Sequence, residues 1–343
     1  MADNISTVTG AAGFAYIDAP AWHGLGRNIL AEMRAAQPED RIALARSMAQ
    51  LDYTVEARDI YLADGRKLDT HKATVRVDGP GLETPLSVVG AGYQTIQNAE
   101  ATELLEVLAR EWGAVPATAG ALGNGERAFM LMRLADAKVS PLPGDDVNGY
   151  GLLSWSHDGQ TGVLLMPTMV RVVCANTLAL AMGKARGKAW IKVKHTASAG
   201  ARLDQASKLM SEIMTAMQAN GDTFASMARK RIGVSQVREY VARVIPNTSA
   251  STTIAPIIEA RRATVEALVY GGRGAGIANQ GIGAGDGATV WAAYNAISEY
   301  FDHVRPAEAK SDAGRANAYE SAIFGGNAEI KASALTIAAQ LSA

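Results

Sequence analysis

The 343-residue chain has one cysteine, Cys174. No internal disulfide can form, which speaks against an oxidising compartment. Long apolar runs are missing as well. Although 48% of the residues are hydrophobic, no run reaches the roughly 18 residues of a membrane span. The opening residues, MADNISTVTGAAGF, lack the basic start and apolar stretch of a secretory leader. These absences lead us to expect a cytoplasmic protein with no membrane partner. Net charge is nearly absent too, at −1, so only the distribution of charge can speak for or against nucleic acid. The five histidines, His23, His71, His157, His195 and His303, form no HxH or HExxH pattern, and a single cysteine excludes CxxC. The sequence therefore supports neither a metal nor another cofactor.

What is present centres on the stretch from Tyr150 to His195. Gly151 to Trp155 and Thr161 to Met166 are strand-like, and His157-Asp-Gly159 between them is a hairpin signal, because glycine accepts the positive φ of such a turn. Pro167 is expected to end the second strand. Thr168 reads as the N-cap of a helix to about Met182, with Gly183 beyond its end. A basic run follows, Lys184, Arg186, Lys188, Lys192 and Lys194, in which the last two alternate with Ile191 and Val193. That alternation is a strand with one charged and one apolar face.

Before this stretch, Glu39 to Leu51 has helical spacing. Tyr53 to Leu62 and Thr70 to Val77 read as strands joined by an Asp-Gly turn, and Pro85 to Thr95 as a third. Asn98 is expected to cap a helix to Trp112, and Val115 to Leu122 and Arg127 to Leu134 to form a hairpin. Residues 1–196 are therefore expected to be an α+β domain, a mostly antiparallel sheet with a few helices. Residues 197–343 read as helical. Leu203, Ala206, Met210, Ile213, Met217, Asn220, Phe224 and Met227 follow steps of three and four, the spacing of a seam packed on another helix or subunit. Val234 to Ile245, Ile254 to Tyr270, Thr289 to His303 and Tyr319 to Leu341 are further helices. Gly271 to Gly287 holds eight glycines in seventeen residues and reads as a mobile loop. It lacks the strand and the Gly-Lys-Ser/Thr of a phosphate-binding loop.

Catalytic signals are few. Cys174, with a histidine and Asn176, would make a nucleophilic arrangement, but a lone cysteine in an apolar helix is usually core. Asp145-Asp146 lies in a Pro/Gly-rich loop and is expected to be solvated. Charge is the stronger signal. From Thr168 to Lys208, eight basic residues stand against one acid, Asp204, a local charge of +7. Arg171, Lys184, Arg186, Lys188, Lys192 and Lys194 are the candidate phosphate contacts, with Trp190 and Trp155 as stacking surfaces for single-stranded bases. The competing reading is a solvated charged face with both tryptophans in the core. Arg229-Lys-Arg231 is a second basic cluster.

Several stretches resemble the phage/plasmid-like proteins of the DUF932 family, which is named for having no assigned function. They are Pro20-Ala-Trp-His-Gly-Leu-Gly26, Val89-Gly-Ala-Gly-Tyr93 with Ile96-Gln-Asn98, Ser156-His-Asp-Gly159, Thr168 through Leu178, Lys194-His-Thr196 and Glu299-Tyr-Phe-Asp-His303. The layout of hairpin sheet, helix and adjacent basic residues is also similar to the β-β-β-α core of Rad52-type single-strand annealing proteins. That likeness implies a homo-oligomeric ring holding single-stranded DNA in a basic groove, without enzymatic chemistry. A structural or partner-binding phage protein, and an enzyme using Cys174 or a histidine, are the other readings.

Overall fold

A computed structural model describes residues 14–17, 27–160, 162–171, 176–178, 191–192, 215, 217–247, 253–283, 285–310, 321 and 325–343. In chain order the elements begin with β1 (Phe14–Tyr16), β2 (Arg27–Asn28), α1 (Leu30–Ala35) and α2 (Arg41–Met48). A three-stranded antiparallel meander follows, β3 (Thr54–Tyr61), β4 (Lys67–Gly79) and β5 (Leu82–Gly90). Then come α3 (Asn98–Trp112), β6 (Val115–Leu122), β7 (Arg127–Leu142), β8 (Asp145–Ser156), β9 (Leu164–Arg171), β10 (Asn176–Leu178) and β11 (Ile191–Lys192). The helical half holds α4 (217–229), β12 (Arg231–Ile232), α5 (Val234–Val244), α6 (Ile254–Gly271), α7 (Ala275–Ala278), β13 (Ala288–Thr289) and α8 (Val290–Glu299). A π-helical turn, Tyr300–Val304, continues α8 into α9 (Arg305–Ala307), and α10 (Gly326–Ser342) closes the chain. The fold is α+β with a helical C-terminal region, as the sequence implied. No helix among the described residues is long and apolar enough to cross a membrane.

The main sheet runs β10-β9-β8-β7-β6-β1-β2, and β11 also pairs with β9. Its centre is the meander β6 to β9. Ala128 through Met132 on β7 are all buried, so both faces of this strand are covered, which explains why its sequence does not alternate. Helices approach β8 closely on one face. A Cβ on Gly149 would stand 2.9 Å from the Met217 sulfur of α4, and one on Gly151 would stand 3.9 Å from Leu108 of α3. Glycine at position 149 makes room for the Met217 side chain and for Ala137 of β7.

The structure corrects the reading of residues 168–178. No helix starts at Thr168. Strand β9 continues through Arg171, and β10 folds back on it with Leu178 opposite Met169. Thr168 and Val170 are β-branched, which favours a strand over a helix. Nor does Pro167 end β9. It lies opposite Gly151, in the interval between β11, which pairs at Leu164–Leu165, and β10, which pairs from Met169. A missing N–H there costs no ladder bond. Helix α3 spans the expected residues, but Gln97 precedes it as the cap. Its N–H donates to Glu100 Oε2 at 3.0 Å, while Asn98 turns inward.

Two further expectations change. Asp145 is fully buried and accepts a 2.8 Å hydrogen bond from Trp291 Nε1. The presumed loop is almost all strand, since Leu142 already pairs with Asp145. The described residues of Gly271–Gly287 are also tied down. The Arg273 N–H donates to Glu299 Oε2 at 2.8 Å, and Asn279 bridges the Val269 carbonyl and the Thr289 N–H. The glycine-rich turn holds the chain's own carboxylate. Of the seam, Met217, Asn220, Phe224 and Met227 are buried, and Phe224 packs on Trp291 with ring centroids 4.8 Å apart. These positions face the protein's own core. Leu203, Ala206, Met210 and Ile213 lie outside the described residues.

Candidate functional site

Two of the candidate phosphate contacts fall on described residues, both at the outer edge of the main sheet. Arg171 is the last residue of β9, opposite Val147 on one side and Asn176 on the other. Lys192 lies in β11, opposite Leu164. Along β9 those two positions are seven residues apart, about 23 Å at strand rise, so the backbone places them at opposite ends of one edge. Lys184, Arg186, Lys188, Trp190, Lys194 and Cys174 lie outside the described residues. Trp155 is no stacking surface. It is fully buried, and its Nε1 donates to Asn98 Oδ1 at 2.7 Å. In the second cluster Arg229, Lys230 and Arg231 are exposed, with Arg231 donating to the Gly281 carbonyl at 3.2 Å.

A different site assembles where β3–β5, α3 and the β8–β9 hairpin meet. Asn98 is its hub. Its Nδ2 donates to the Tyr53 carbonyl at 3.1 Å, which leaves Oδ1 to accept from Trp155 and from His157 Nε2 at 3.0 Å. Because Oδ1 can only accept, His157 carries its proton on Nε2. Its Nδ1 is buried without a partner. Burial pulls the imidazole pKa down to about 4, Asp158 opposing and Arg76 assisting, so the ring is neutral at neutral pH. Tyr53 stands edge-on to it, centroids 5.8 Å apart, and donates its hydroxyl to the Gly125 carbonyl at 2.9 Å. Burial holds that hydroxyl far above the usual tyrosine range.

Above Tyr53 lies Arg76, 1% exposed, its guanidinium 4.0 Å from the ring centre. It binds both Asp78 oxygens at 2.7 Å and the Asn124 carbonyl at 3.0 Å. Strand β4 is thereby fastened to the β6–β7 turn. The hairpin turn is fastened too. Tyr93 donates to the Ser156 carbonyl at 3.2 Å, and Ser87 to the Asp158 carbonyl at 3.4 Å. Gly159, with φ +75°, has Val89 3.0 Å from where a Cβ would be. So Val89–Tyr93, Ile96–Asn98 and Ser156–Gly159, three separate stretches of the sequence, build one junction. With its imidazole neutral and enclosed and its side chains bonded across three elements, the junction is equipped to fix geometry.

Sequence reading singled out these stretches without seeing that they converge, and it passed over Tyr53 and Arg76. The available signal was Arg76 itself, a charge between two valines, Val75 and Val77, in a strand-like run. A second buried ionic contact lies in the helical half, where Lys331 of α10 meets Asp302 of the π-turn at 2.6 Å, side chains 3% and 0% exposed. No group of three or more potential metal ligands occurs among the described residues.

No curated protein and no solved structure matches this chain. A family model described as "Domain of unknown function (DUF932)" matches residues 85–323. The match begins in β5 and takes in α3, the hairpin turn, the basic edge and the π-turn. The chain therefore belongs to the DUF932 family.

Proposed function

We propose that the protein binds single-stranded DNA along the β9 edge and promotes annealing or recombination for a phage or plasmid, as a cytoplasmic homo-oligomeric ring. The observation that carries this reading is the +7 charge between Thr168 and Lys208. The two strands drawn from that segment, β10 and β11, both flank β9 at the outer border of the main sheet. Lysine and arginine along such an edge neutralise backbone phosphates without reading sequence, and binding of this kind weakens steeply with salt. Neutralised strands with exposed bases sample registers without a nucleophile or cofactor.

The test is a salt titration of a labelled oligonucleotide by fluorescence anisotropy. Replacing Lys188, Lys192 and Lys194 by Ala removes three candidate phosphate contacts. The log–log salt slope is then expected to fall by roughly 2, at about 0.7 per contact on single strands. Absence of binding at low salt, or an unchanged slope in the variant, overturns the assignment.

A partner-binding role is the second reading, and one observation favours it. Tyr61, Leu62, Leu82 and Val88 of the β3–β5 meander and its turns are exposed apolar side chains. A defined oligomer in light scattering that is indifferent to oligonucleotide would support this reading over the first.

A further inference from the structure

Asparagine followed by glycine is the dipeptide most prone to lose its side-chain amide. Glycine leaves the next backbone nitrogen unshielded and free to turn. The chain has three such pairs, at Asn124, Asn148 and Asn220. Asn148 lies in β8 and Asn220 in α4, where ladder or helix fixes the backbone. Packing needs the glycine at both: a Cβ would stand 2.7 Å from the Ala137 side chain at Gly149 and 2.8 Å from Val139 at Gly221. Asn124 is different. It is exposed and lies in the β6–β7 turn, beyond the last ladder pair, Leu122 with Arg127.

What holds this turn is the clamp of the junction. Gly125 has φ +108°, and a Cβ on it would stand 2.9 Å from the Arg76 guanidinium and 3.0 Å from the Tyr53 hydroxyl, so the clamp demands glycine there. Each group that loss of the amide requires is engaged. The Gly125 N–H, whose nitrogen would attack, donates to the Leu122 carbonyl at 3.1 Å. The Asn124 side-chain amide, which would be attacked, donates through Nδ2 to Glu126 Oε1 at 3.1 Å. Arg76 holds the Asn124 carbonyl at 3.0 Å, and Tyr53 holds the Gly125 carbonyl at 2.9 Å. A donating N–H keeps its proton. A peptide held at both carbonyls is not free to turn its nitrogen toward the side chain.

We propose that Asn124–Gly125 is a deamidation site that Arg76, Tyr53 and Glu126 hold closed, so that lasting opening of the junction is recorded covalently. When the turn opens, the deprotonated Gly125 nitrogen attacks Asn124 Cγ. The Cγ–Nδ2 bond breaks, Nδ2 leaves as ammonia, and a succinimide remains. Water then opens the ring at either carbonyl, giving aspartate or, with the main chain rerouted through the side chain, isoaspartate. Either product removes the donor that faced Glu126 and sets a carboxylate against a carboxylate. Isoaspartate also lengthens the main chain by a methylene, which displaces the carbonyl held by Arg76. The converted turn does not reclose, and β4 stays unfastened from it. The proposal does not depend on the β9 edge.

The full chain, incubated in mildly alkaline buffer and mapped by peptide mass spectrometry, gives the deamidation rate at each of the three asparagines. The same protein in guanidinium chloride supplies the unprotected rates. In native wild type, Asn124 is expected to react about tenfold or more slowly than in denaturant. Tyr53→Phe and Glu126→Ala each remove a hold on the turn and are expected to accelerate Asn124 roughly threefold to tenfold. Glu126→Ala alters only a side chain of the turn itself, so it decides the matter should Tyr53→Phe fail to fold. Asn148 and Asn220 are the internal controls and stay at their wild-type rates in Glu126→Ala. A native Asn124 as fast as in denaturant, or unchanged in Glu126→Ala, overturns the proposal. So does acceleration of all three asparagines together in that variant, which reports global unfolding and not release of the turn.

Discussion

Among the described residues, each half of the molecule holds a buried ion pair, and the two are built differently. Arg76 and Asp78 are two residues apart on one strand. The guanidinium grips both carboxylate oxygens and still serves the Asn124 carbonyl and the Tyr53 ring. Lys331 and Asp302 come from separate helices, and a single ammonium meets one oxygen at 2.6 Å. Asp78 keeps 11% of its side chain in solvent, whereas Asp302 keeps none. A partly wet carboxylate has water to fall back on if its partner is lost, and a dry one does not. The sheet-half pair therefore organises a junction, and the helical-half pair pins α10 to the π-turn at the cost of two dehydrated charges.

That contrast ranks the consequences of damage. Lys331→Met leaves the Asp302 carboxylate buried without its cation and is expected to destabilise by about 3–5 kcal/mol. Adding Asp302→Leu removes the stranded charge, and the double variant is expected to recover most of that loss. Denaturant midpoints of the two variants measure it. A Lys331→Met protein within about 1 kcal/mol of wild type would mean that the pair is wet in solution and the contrast false.

The junction offers a pH-dependent counterpart. His157 has its pKa lowered from 6.5 to about 4. Between these values the unfolded chain binds a proton that the folded chain refuses, so stability rises with pH across that window. The contribution is full above about pH 6.5 and is lost as pH falls toward 4, amounting to about 3 kcal/mol in all. Urea unfolding of wild type and His157→Gln at pH 7 and pH 4.5 isolates it, because titrating carboxylates are common to both proteins. Equal pH slopes in the two would show that the imidazole titrates alike folded and unfolded, and the junction would then be open to water.

Locally encoded features were legible in the sequence. The Asp-Gly turn after Trp155, the limits of α3 and the hairpin over Gly123–Gly125 depend on neighbours in the chain, where turn chemistry and periodicity act. Residues 168–178 misled because Thr168 after Pro167 has the composition of a helix start, while the strand there is imposed by β8 from outside. The junction was not legible as a unit. Tyr53, Arg76, Asn98 and His157 are brought together by tertiary packing, and no single window contains two of its hydrogen-bonded partners except Arg76 with Asp78. The charge concentration beyond Thr168 was plain in the sequence, because counting charges needs no fold.

The smallest expected effect sharpens the comparison most. Arg76→Lys keeps a cation beside Asp78 and so preserves charge neutrality. It removes the two-pronged grip, the donor to the Asn124 carbonyl and the flat contact on Tyr53. If Arg76 acts by geometry, the substitution is expected to cost about 2 kcal/mol, close to the loss of one charge-assisted hydrogen bond with its acceptor left buried. The β6–β7 turn should loosen with it, seen as faster amide exchange at Gly125, whose carbonyl Tyr53 holds. The reciprocal change, Lys331→Arg, tests the other pair, where a single ammonium in a dry site leaves no place for a planar fork, and overpacking of about 1–3 kcal/mol follows. Were Arg76→Lys silent and Lys331→Arg tolerated, both pairs would be interchangeable point charges, and the junction would owe its shape to Asn98 and Tyr53 alone.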